Sequence, residues 1–479
     1  MSIPRPNSTV HVGLQARSPI SLRERLWLLA AIVLVPVAVF FQQFSLSLRS
    51  QTLGGAPAEK LAIEEVYEPG VAEFTIASKL AVKQMFLARR SEEEPAPAAE
   101  VMRSLEQSAI TRAERLRLAL VAAEIVDTDD ALRRLAKLRD EVTPGGELAM
   151  DILWFTRLYA QGPDAVTPEA RDALVQRHGW FARLALTHGE PAALRRKTVG
   201  SRALISFSAG LNLVFLGMLL VGVVVVLVAF SHLRNRLFQF RLYQSDRGPV
   251  YLELFTLFVG GFSLLVSANL IFFGFDIEGT GGAMVAQEIL LWVLALTLLW
   301  PLLRNVPWAR YTWDLGLHRG QGFFKEVLAG VMGWLASAPI MLGLAILMGL
   351  ITGGGEDEAP TSGYPLFESP RGSSWLFVIV GMMSAVLWAP LIEEIVFRGA
   401  IQRYLRPWLK WWGAILVTAL LFGLIHPYTP SGLVSVAVSG ILLGFLREWR
   451  GSLVAPITAH LLHNGMITAV TLGLLVSLE

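Results

Sequence analysis

The sequence predicts an all-α membrane protein, a polytopic membrane helical bundle of about nine transmembrane helices with an inserted extramembrane helical domain. Of its 479 residues, 53% are hydrophobic and only 17% are charged, a smaller charged share than soluble domains have. Nine stretches approach the length of about 20 apolar residues that crosses a bilayer. One long segment, 48–200, is instead rich in Ala, Leu, Arg and Glu and has a helical period.

Five parts follow one another along the chain. A basic tail, 1–25, precedes a first transmembrane helix at 26–47, which we interpret as an uncleaved signal anchor because no clear cleavage site follows it. The extramembrane domain covers 48–200, transmembrane helices two to four cover 201–310, and the last five lie in 311–479. The predicted spans are 26–46, 203–230, 251–275, 283–303, 326–351, 374–398, 413–427, 432–446 and 453–477.

Basic and acidic segments alternate between these spans, and the alternation predicts their orientation. The segments around Arg234, Arg304 and Arg403 are basic, whereas those around Asp276 and Glu356 are acidic. Since cytoplasmic loops carry the excess of Lys and Arg, we expect a cytosolic N-terminus and an extracytoplasmic 48–200 domain. The simple alternation fits an integral protein of a bacterial inner (cell) membrane.

The 48–200 segment is predicted to fold as helical hairpins. Asp129 and Asp130 suit a helix start before "ALRRLAKLRDEV", and the Pro-Gly-Gly run at 144–146 predicts a break. His178 and His188 stand isolated in the sequence, and no catalytic pattern is visible here. We interpret the domain as a docking or sensing module for a possible protein partner, or as a spacer.

Composition excludes several classes of function. The chain has no cysteine, which excludes disulfides, thiolate metal sites, iron–sulfur clusters and a cysteine nucleophile. The net charge of +2 implies no nucleic-acid partner.

Ionisable and polar residues cluster in the last third of the chain, within stretches that are otherwise apolar. They are Glu393, Glu394, Arg398, His426, His460, His463 and Asn464. A charged group in lipid costs about 2.5–3.5 kcal/mol on insertion scales and usually has a function. In helical bundles, buried sites are formed by polar side chains that point inward from facing helices, and three helices contribute such side chains here.

The spacing of these residues predicts which of them share a helix face and which role each one has. Glu394 and Arg398 are four apart and predict an ion pair on one helix face, whereas Glu393 points about 100° away and is left free to act. His460 and Asn464 are also four apart and can direct two donors at one spot. His463 is expected to be a packing neighbour at the edge of that face.

A carboxylate and an imidazole that converge in a dry site suggest an activated water molecule. Glu393 would accept the proton as a general base, His426 would hold the water, and His460 and Asn464 would stabilise an oxyanion. Glu393 and His426 lie at the same depth in the membrane only if the helix that carries Glu393 continues past Arg398 to about Leu405. We therefore predict that continuation.

These residues form three patterns in order: E-E-x-x-x-R at 393–398, F-x-x-x-H at Phe422 and His426, and H-x-x-x-N at His460 and Asn464. Over about 311–475 the sequence resembles the CPBP family of intramembrane glutamic endopeptidases, which includes CAAX prenyl proteases and bacteriocin-processing, ABI-type enzymes. The resemblance implies that Glu393 is the catalytic base, His426 the water partner, and His460 and Asn464 the oxyanion side. Glu394, Arg398, Phe422 and His463 would support them.

The sequence therefore predicts an intramembrane endopeptidase that acts on a membrane-associated protein or peptide. No cofactor or metal is expected, because zinc-protease H-E-x-x-H spacing is missing, although a metal held by Glu393, His426 and His460 stays open. One alternative is a non-catalytic scaffold or immunity-like protein that keeps the protease fold. Another is a transporter, which would need internal repeats that the sequence does not show.

Overall fold

The fold is taken from a computed structural model, which is helical throughout the part of the chain that it describes and contains no strand there. This agrees with the predicted fold class. The described residues are 20–55, 78–79, 81–82, 98–109, 111–191, 195, 202–240, 248–274, 281–352, 381–426, 428 and 430–478.

Six helices lie in the predicted extramembrane domain: α2 (Ala98–Ser108), α3 (Arg112–Ile125), α4 (Thr128–Arg139), α5 (Glu147–Gln161), α6 (Pro168–His178) and α7 (Trp180–Leu186). They share a hydrophobic core that includes the fully buried Leu120, Leu135 and Phe155. Helix α5 starts directly after the Pro-Gly-Gly run, as predicted. Helix α4 is capped by Asp127, whose side chain accepts from the backbone N–H of Asp130, so the predicted start was placed slightly late.

The two histidines of this domain are paired, contrary to their isolated position in the sequence. His178 is buried with its Nε2 atom 3.0 Å from the Asp151 carboxylate, which also accepts from Arg177. His188 lies with Nδ1 2.8 Å from the Glu124 carboxylate. Their partners are 27 and 64 residues away in the chain, so no local pattern could reveal them.

Ten further helices form the bundle: α1 (Leu22–Gly55), α8 (Arg202–Arg234), α9 (Pro249–Gly274), α10 (Gly281–Leu294), α11 (Trp308–Leu315), α12 (Phe323–Thr352), α13 (381–405), α14 (Trp411–Leu424), α15 (Pro430–Arg450) and α16 (Val454–Leu478). Helix α8 leaves most of its apolar side chains uncovered, as expected of a helix in contact with lipid.

Within the described residues, five helices are long and apolar enough to cross a membrane. The number becomes six if Glu288–Leu303 and Trp308–Leu315, which meet at a bend of 120°, count as one span. Helix α14 is apolar but only 14 residues long. The predicted count of about nine stays a prediction. The basic tail before residue 20, the acidic segments around 276 and 356, and the start of the predicted 374–398 span lie outside the described residues.

Helix α13 lies inside the bundle, against α9, α14, α15 and α16. Aromatic contacts fix it there: the ring centroid of Phe397 is 5.8 Å from that of Phe255 on α9 and 5.1 Å from that of Phe422 on α14. Edge-to-face packing of this kind adds to the energy of apolar burial. The core therefore surrounds the helix that carries Glu393 and Glu394.

Candidate active site

Helix α13 changes its winding at the two glutamates. An α-helical turn ends at Glu393, and a π-helical segment runs from Glu394 to Ile401. A second π-helical segment precedes it at Ser384–Trp388. Such wide turns are rare and are often found at functional sites. The helix then continues to Leu405, which confirms the predicted continuation past Arg398.

Glu394 and Arg398 form the ion pair that their spacing predicts. Nη1 of Arg398 donates to Oε1 of Glu394 at 2.9 Å, and both side chains are fully buried. The guanidinium also lies over the Phe422 ring, with Cζ 4.2 Å from the centroid, and donates to the backbone oxygen of Gly440. These contacts satisfy a charge that burial would otherwise make very costly.

His460 on α16 lies between the two glutamates. Its Nδ1 atom is 3.0 Å from Oε1 of Glu394, and its Nε2 atom is 4.0 Å from Oε2 of Glu393. The first distance is a hydrogen bond, and the second is too long for one but short enough for one water molecule to bond both atoms. The side chain of Glu393 remains 16% exposed, whereas that of Glu394 is fully buried.

His426 joins this group from the end of α14. Its Nδ1 atom lies 2.6 Å from the backbone oxygen of Phe422, and its ring also stacks on Tyr428. The Phe422 ring contacts both imidazoles, with centroids 4.8 Å from His426 and 6.0 Å from His460. Glu393 is close enough to act electrostatically on His426. The structure thus brings Glu393, His426 and His460 together from three helices.

Asn464 and His463 take different positions around this group. Nδ2 of Asn464 donates to the backbone oxygen of Ala385 at 2.8 Å, which links α16 to the first part of α13. This bond uses one of the two N–H donors of the Asn464 amide, and the expectation that Asn464 and His460 direct donors at one spot stays a prediction. His463 is partly buried near His460, with no hydrogen bond to another residue that the structure describes.

A line of polar contacts between α13 and α15 was missed by sequence reasoning. Gln402 donates to the backbone oxygen of Gly444 at 3.1 Å and to Glu448 at 3.3 Å. Arg406 donates to the other oxygen of Glu448 at 3.2 Å. Together with Arg398, these side chains recur every four residues along α13, and that spacing is the signal that could have revealed them.

Glu288 lies on α10, within the predicted 283–303 span. Its carboxyl group accepts a hydrogen bond from the hydroxyl of Ser384, at the start of the first π-helical segment of α13. Sequence reasoning did not identify this contact, which links α10 to the helix that carries Glu393.

No group of three His, Cys, Asp or Glu side chains with metal-ligand geometry occurs within the described parts of the chain. Glu393, His426 and His460 lie near one another without forming such a group.

The fold and the site define a helical membrane protein with an enclosed pair of glutamates and two histidines, arranged around the helix α13. Residues 374–466 match the family model described as type II CAAX prenyl endopeptidase Rce1-like. The predicted resemblance to CAAX prenyl proteases is thus confirmed over this segment. The ABI-type subgroup is not confirmed.

Similarity to a curated protein is limited to a short stretch. The chain is 35% identical over 71 residues to the "Uncharacterized protein YpbD" of Bacillus subtilis (strain 168), which is 14% of this chain. The chain spans about a third of the length of that relative, 33%. No solved structure matches the chain.

Proposed function

We propose that the protein is an intramembrane endopeptidase, which hydrolyses a peptide bond in a membrane-associated protein or peptide with a water molecule activated by Glu393. The observation that carries the proposal is the separation of 4.0 Å between Oε2 of the half-buried Glu393 and Nε2 of the buried His460, beside His426. The family match over 374–466 supports the reaction class. The roles of individual residues are part of the proposal.

Glu393 is the proton acceptor. Its neighbour Glu394 is occupied by Arg398 at 2.9 Å and by His460 at 3.0 Å, and therefore has a fixed structural task. Glu393 keeps a partly exposed carboxylate that can contact water. It takes one proton from the water as the water oxygen attacks the peptide carbonyl carbon. The same proton then passes to the leaving nitrogen as the C–N bond breaks.

His426 holds the water beside Glu393. Because the backbone oxygen of Phe422 can only accept a hydrogen bond, Nδ1 of His426 must carry a proton in the 2.6 Å contact. In the neutral ring, Nε2 then has a lone pair that accepts a hydrogen bond from water. Two acceptors, Glu393 and His426, orient the water oxygen toward the substrate carbonyl.

His460 lies on the side of the tetrahedral oxyanion. Its Nδ1 atom is hydrogen-bonded to Glu394 at 3.0 Å, and its Nε2 atom is 4.0 Å from the Glu393 carboxylate. A ring that carries a proton on each nitrogen would donate to Glu394 through Nδ1 and to the oxyanion through Nε2. Asn464 joins it when the substrate replaces Ala385 as its partner. Removal of one oxyanion donor commonly lowers the rate by about 10²–10³-fold.

Location and orientation complete the proposal. The ends of α13 and α15 that carry Arg403, Arg406 and Arg447 face the cytosol of a bacterial cell, because cytoplasmic segments are rich in arginine. The extramembrane domain then lies outside the cytosol, where it can contact a partner protein or a substrate.

The test compares protein termini by mass spectrometry in cells that carry the wild type, Glu393→Gln or the control Glu147→Gln. The control changes an exposed glutamate at the start of α5. We expect defined cleavage products to disappear with Glu393→Gln alone, at unchanged protein abundance, because the amide cannot accept a proton. If all three strains show the same termini, the proposal fails and the non-catalytic scaffold takes its place.

A further inference from the structure

A cavity of about 170 Å³ lies at the arginine-rich end of the bundle, away from the candidate active site. It is enclosed by the first turn of α1, the first turn of α9 and the turn that follows α10. Its lining residues are Ser21, Arg23, Glu24, Pro249, Val250, Glu253 and Arg304. None of them lies within the segment that matches the protease family.

Two arginines in this cavity share one carboxylate oxygen. Oε2 of Glu253 accepts from Nη2 of Arg23 at 2.9 Å and from Nε1 of Trp300 at 2.8 Å, and lies 3.5 Å from Nε of Arg304. The two guanidinium side chains are 48% and 37% exposed. A guanidinium has five N–H donors, so one carboxylate oxygen leaves both cations with donors that point into the cavity and its mouth.

Glu24, the other carboxylate of the lining, is bonded to a different part of the bundle. It is buried, and one of its oxygens accepts from the hydroxyl of Tyr404 on α13 at 3.2 Å. The helix N-termini of α1 and α9 both open onto the cavity and add partial positive charge to the two arginines. The cavity therefore favours an added anion.

Exposed apolar side chains border the same arginines. Leu22 and Leu26 flank Arg23 on α1, while Leu303 and Trp308 flank Arg304, and all four are more than half exposed. An exposed tryptophan beside leucines is typical of the membrane interface. An anion bound here would be attached to something apolar.

From this arrangement we propose that the cavity binds the phosphodiester of a membrane lipid, with Arg23 and Arg304 on the phosphate oxygens and the acyl chains along Leu22, Leu26 and Leu303. Arginine matches the geometry of phosphate with two parallel hydrogen bonds. Basic pockets between transmembrane helices commonly hold lipid headgroups. The site is independent of the proposed peptidase reaction.

The experiment measures lipid binding to the purified full chain in detergent by native mass spectrometry, with short-chain phosphatidylglycerol as the probe. We expect Arg23→Gln and Arg304→Gln each to weaken binding by about fivefold. The matched control is Arg25→Gln, which removes the same charge from the same turn of α1 but does not line the cavity. Glu253→Gln should strengthen binding, because it removes the internal anion that competes for both arginines.

Other probes separate the sources of the anion. Diacylglycerol, which lacks the phosphate, should not bind, and inorganic phosphate should bind more weakly than the lipid. An equal loss of lipid binding in Arg25→Gln would show that any positive charge near this end of the bundle has the same effect, and would overturn the proposal. Unchanged lipid binding in Arg304→Gln would also overturn it. The side chain of Arg304 makes only one polar contact with a described residue, the long 3.5 Å contact with Glu253, so Arg304→Gln should fold. If Arg23→Gln does not fold, Arg304→Gln decides the outcome.

Discussion

Glu393 and Glu394 are neighbours in the chain, yet their surroundings give them different properties. Glu394 is fully buried and bonded to a guanidinium and an imidazole, whereas Glu393 has no direct hydrogen bond to a described residue and remains partly exposed. Both contacts of Glu394 are made by its Oε1 atom, which is therefore already occupied by a cation and an imidazole. The proposed division between a holding and a reacting carboxylate follows from these contacts.

Loss of one partner of the buried ion pair should cost more than loss of both. We expect Arg398→Met to lower the free energy of unfolding by about 3–5 kcal/mol, because the buried Glu394 loses its guanidinium partner and keeps only the bond to His460. The double variant Arg398→Met with Glu394→Gln should recover most of that loss. Denaturant unfolding in mixed micelles measures all three proteins, and equal losses in the single and double variants would contradict the expectation.

His178 predicts a pH dependence in the extramembrane domain. Burial lowers the pKa of His178 from its ordinary value of 6.5, although its bond with Asp151 acts in the opposite direction. Below about pH 6.5 the unfolded domain therefore binds more protons than the folded one, and stability falls as the pH falls toward the lowered pKa. His178→Gln, which does not titrate, should flatten this slope.

Hydrogen exchange of peptides from α5 to α7 measures this effect in the full chain. Protection, corrected for intrinsic rates, should drop between about pH 7 and pH 5 in the wild type and drop less in His178→Gln. Equal slopes in both proteins would mean that other groups control the acid sensitivity.

Local spacing could predict contacts within one helix but not those between helices. The Glu394–Arg398 pair follows from a separation of four residues. The bond from His460 to Glu394 spans 66 residues, and that from Asn464 to Ala385 spans 79. Such contacts depend on how the helices are packed and rotated, which one sequence does not state.

At the scale of elements, Gly440 lets α15 approach α13 and α14 closely. A Cβ atom at Gly440 would lie 3.1 Å from Cα of Ala419 and 3.3 Å from Nη2 of Arg398. Both are tighter than ordinary contacts. We expect Gly440→Leu to lower the free energy of unfolding by about 1–3 kcal/mol through overpacking. It should also displace Arg398 from its bond to the Gly440 carbonyl.

A matched control exists on α12. A Cβ atom at Gly343 would meet nothing within 4 Å, so Gly343→Leu keeps the substitution and the membrane setting without a collision. Thermal unfolding in the same detergent compares the two variants. A similar loss in both would indicate a general effect of leucine in these helices rather than a close approach of α13 and α15.

Element boundaries were predictable only where the chain contains strong local signals. The break before α5 follows from Pro-Gly-Gly, which disfavours both helix and strand. The 120° bend after Leu303 comes just before Pro307, a local signal that our interpretation did not use. The π-helical turns of α13 carry no comparable signal.

Over the whole molecule, α1 is fastened to parts of the chain that are distant in sequence. It packs on α9, Arg23 bonds Glu253, and Glu24 bonds Tyr404, 380 residues away. After cleavage at a protease site inserted between 56 and 77, we expect the α1 fragment to copurify with the rest. Arg23→Gln combined with Tyr404→Phe should release more of it.

Affinity purification through a C-terminal tag followed by immunoblotting of the α1 fragment measures this association. The control carries Arg25→Gln alone, which leaves both contacts in place. Complete loss of the fragment from the otherwise unaltered chain would show that α1 is held by chain connectivity and not by its packing.

The overall architecture could largely be predicted from composition. Apolar content and helical period predicted an all-helical membrane bundle and a separate, more polar helical domain. The number of spans was not accessible in the same way, because the described residues give five or six clear spans alongside shorter and broken helices. Helices that are shielded by protein need not be long or uniformly apolar to stay in a membrane.

The polar contacts that recur every four residues from Glu394 to Arg406 depend on the number of residues between them. Each residue added to or removed from an α-helix rotates all later side chains about the helix axis by about 100°. One inserted residue would therefore aim Gln402 and Arg406 away from Glu448 and toward lipid or core. Length changes should be tolerated in the loops of related chains and avoided here, where the count of residues matters as much as their identity.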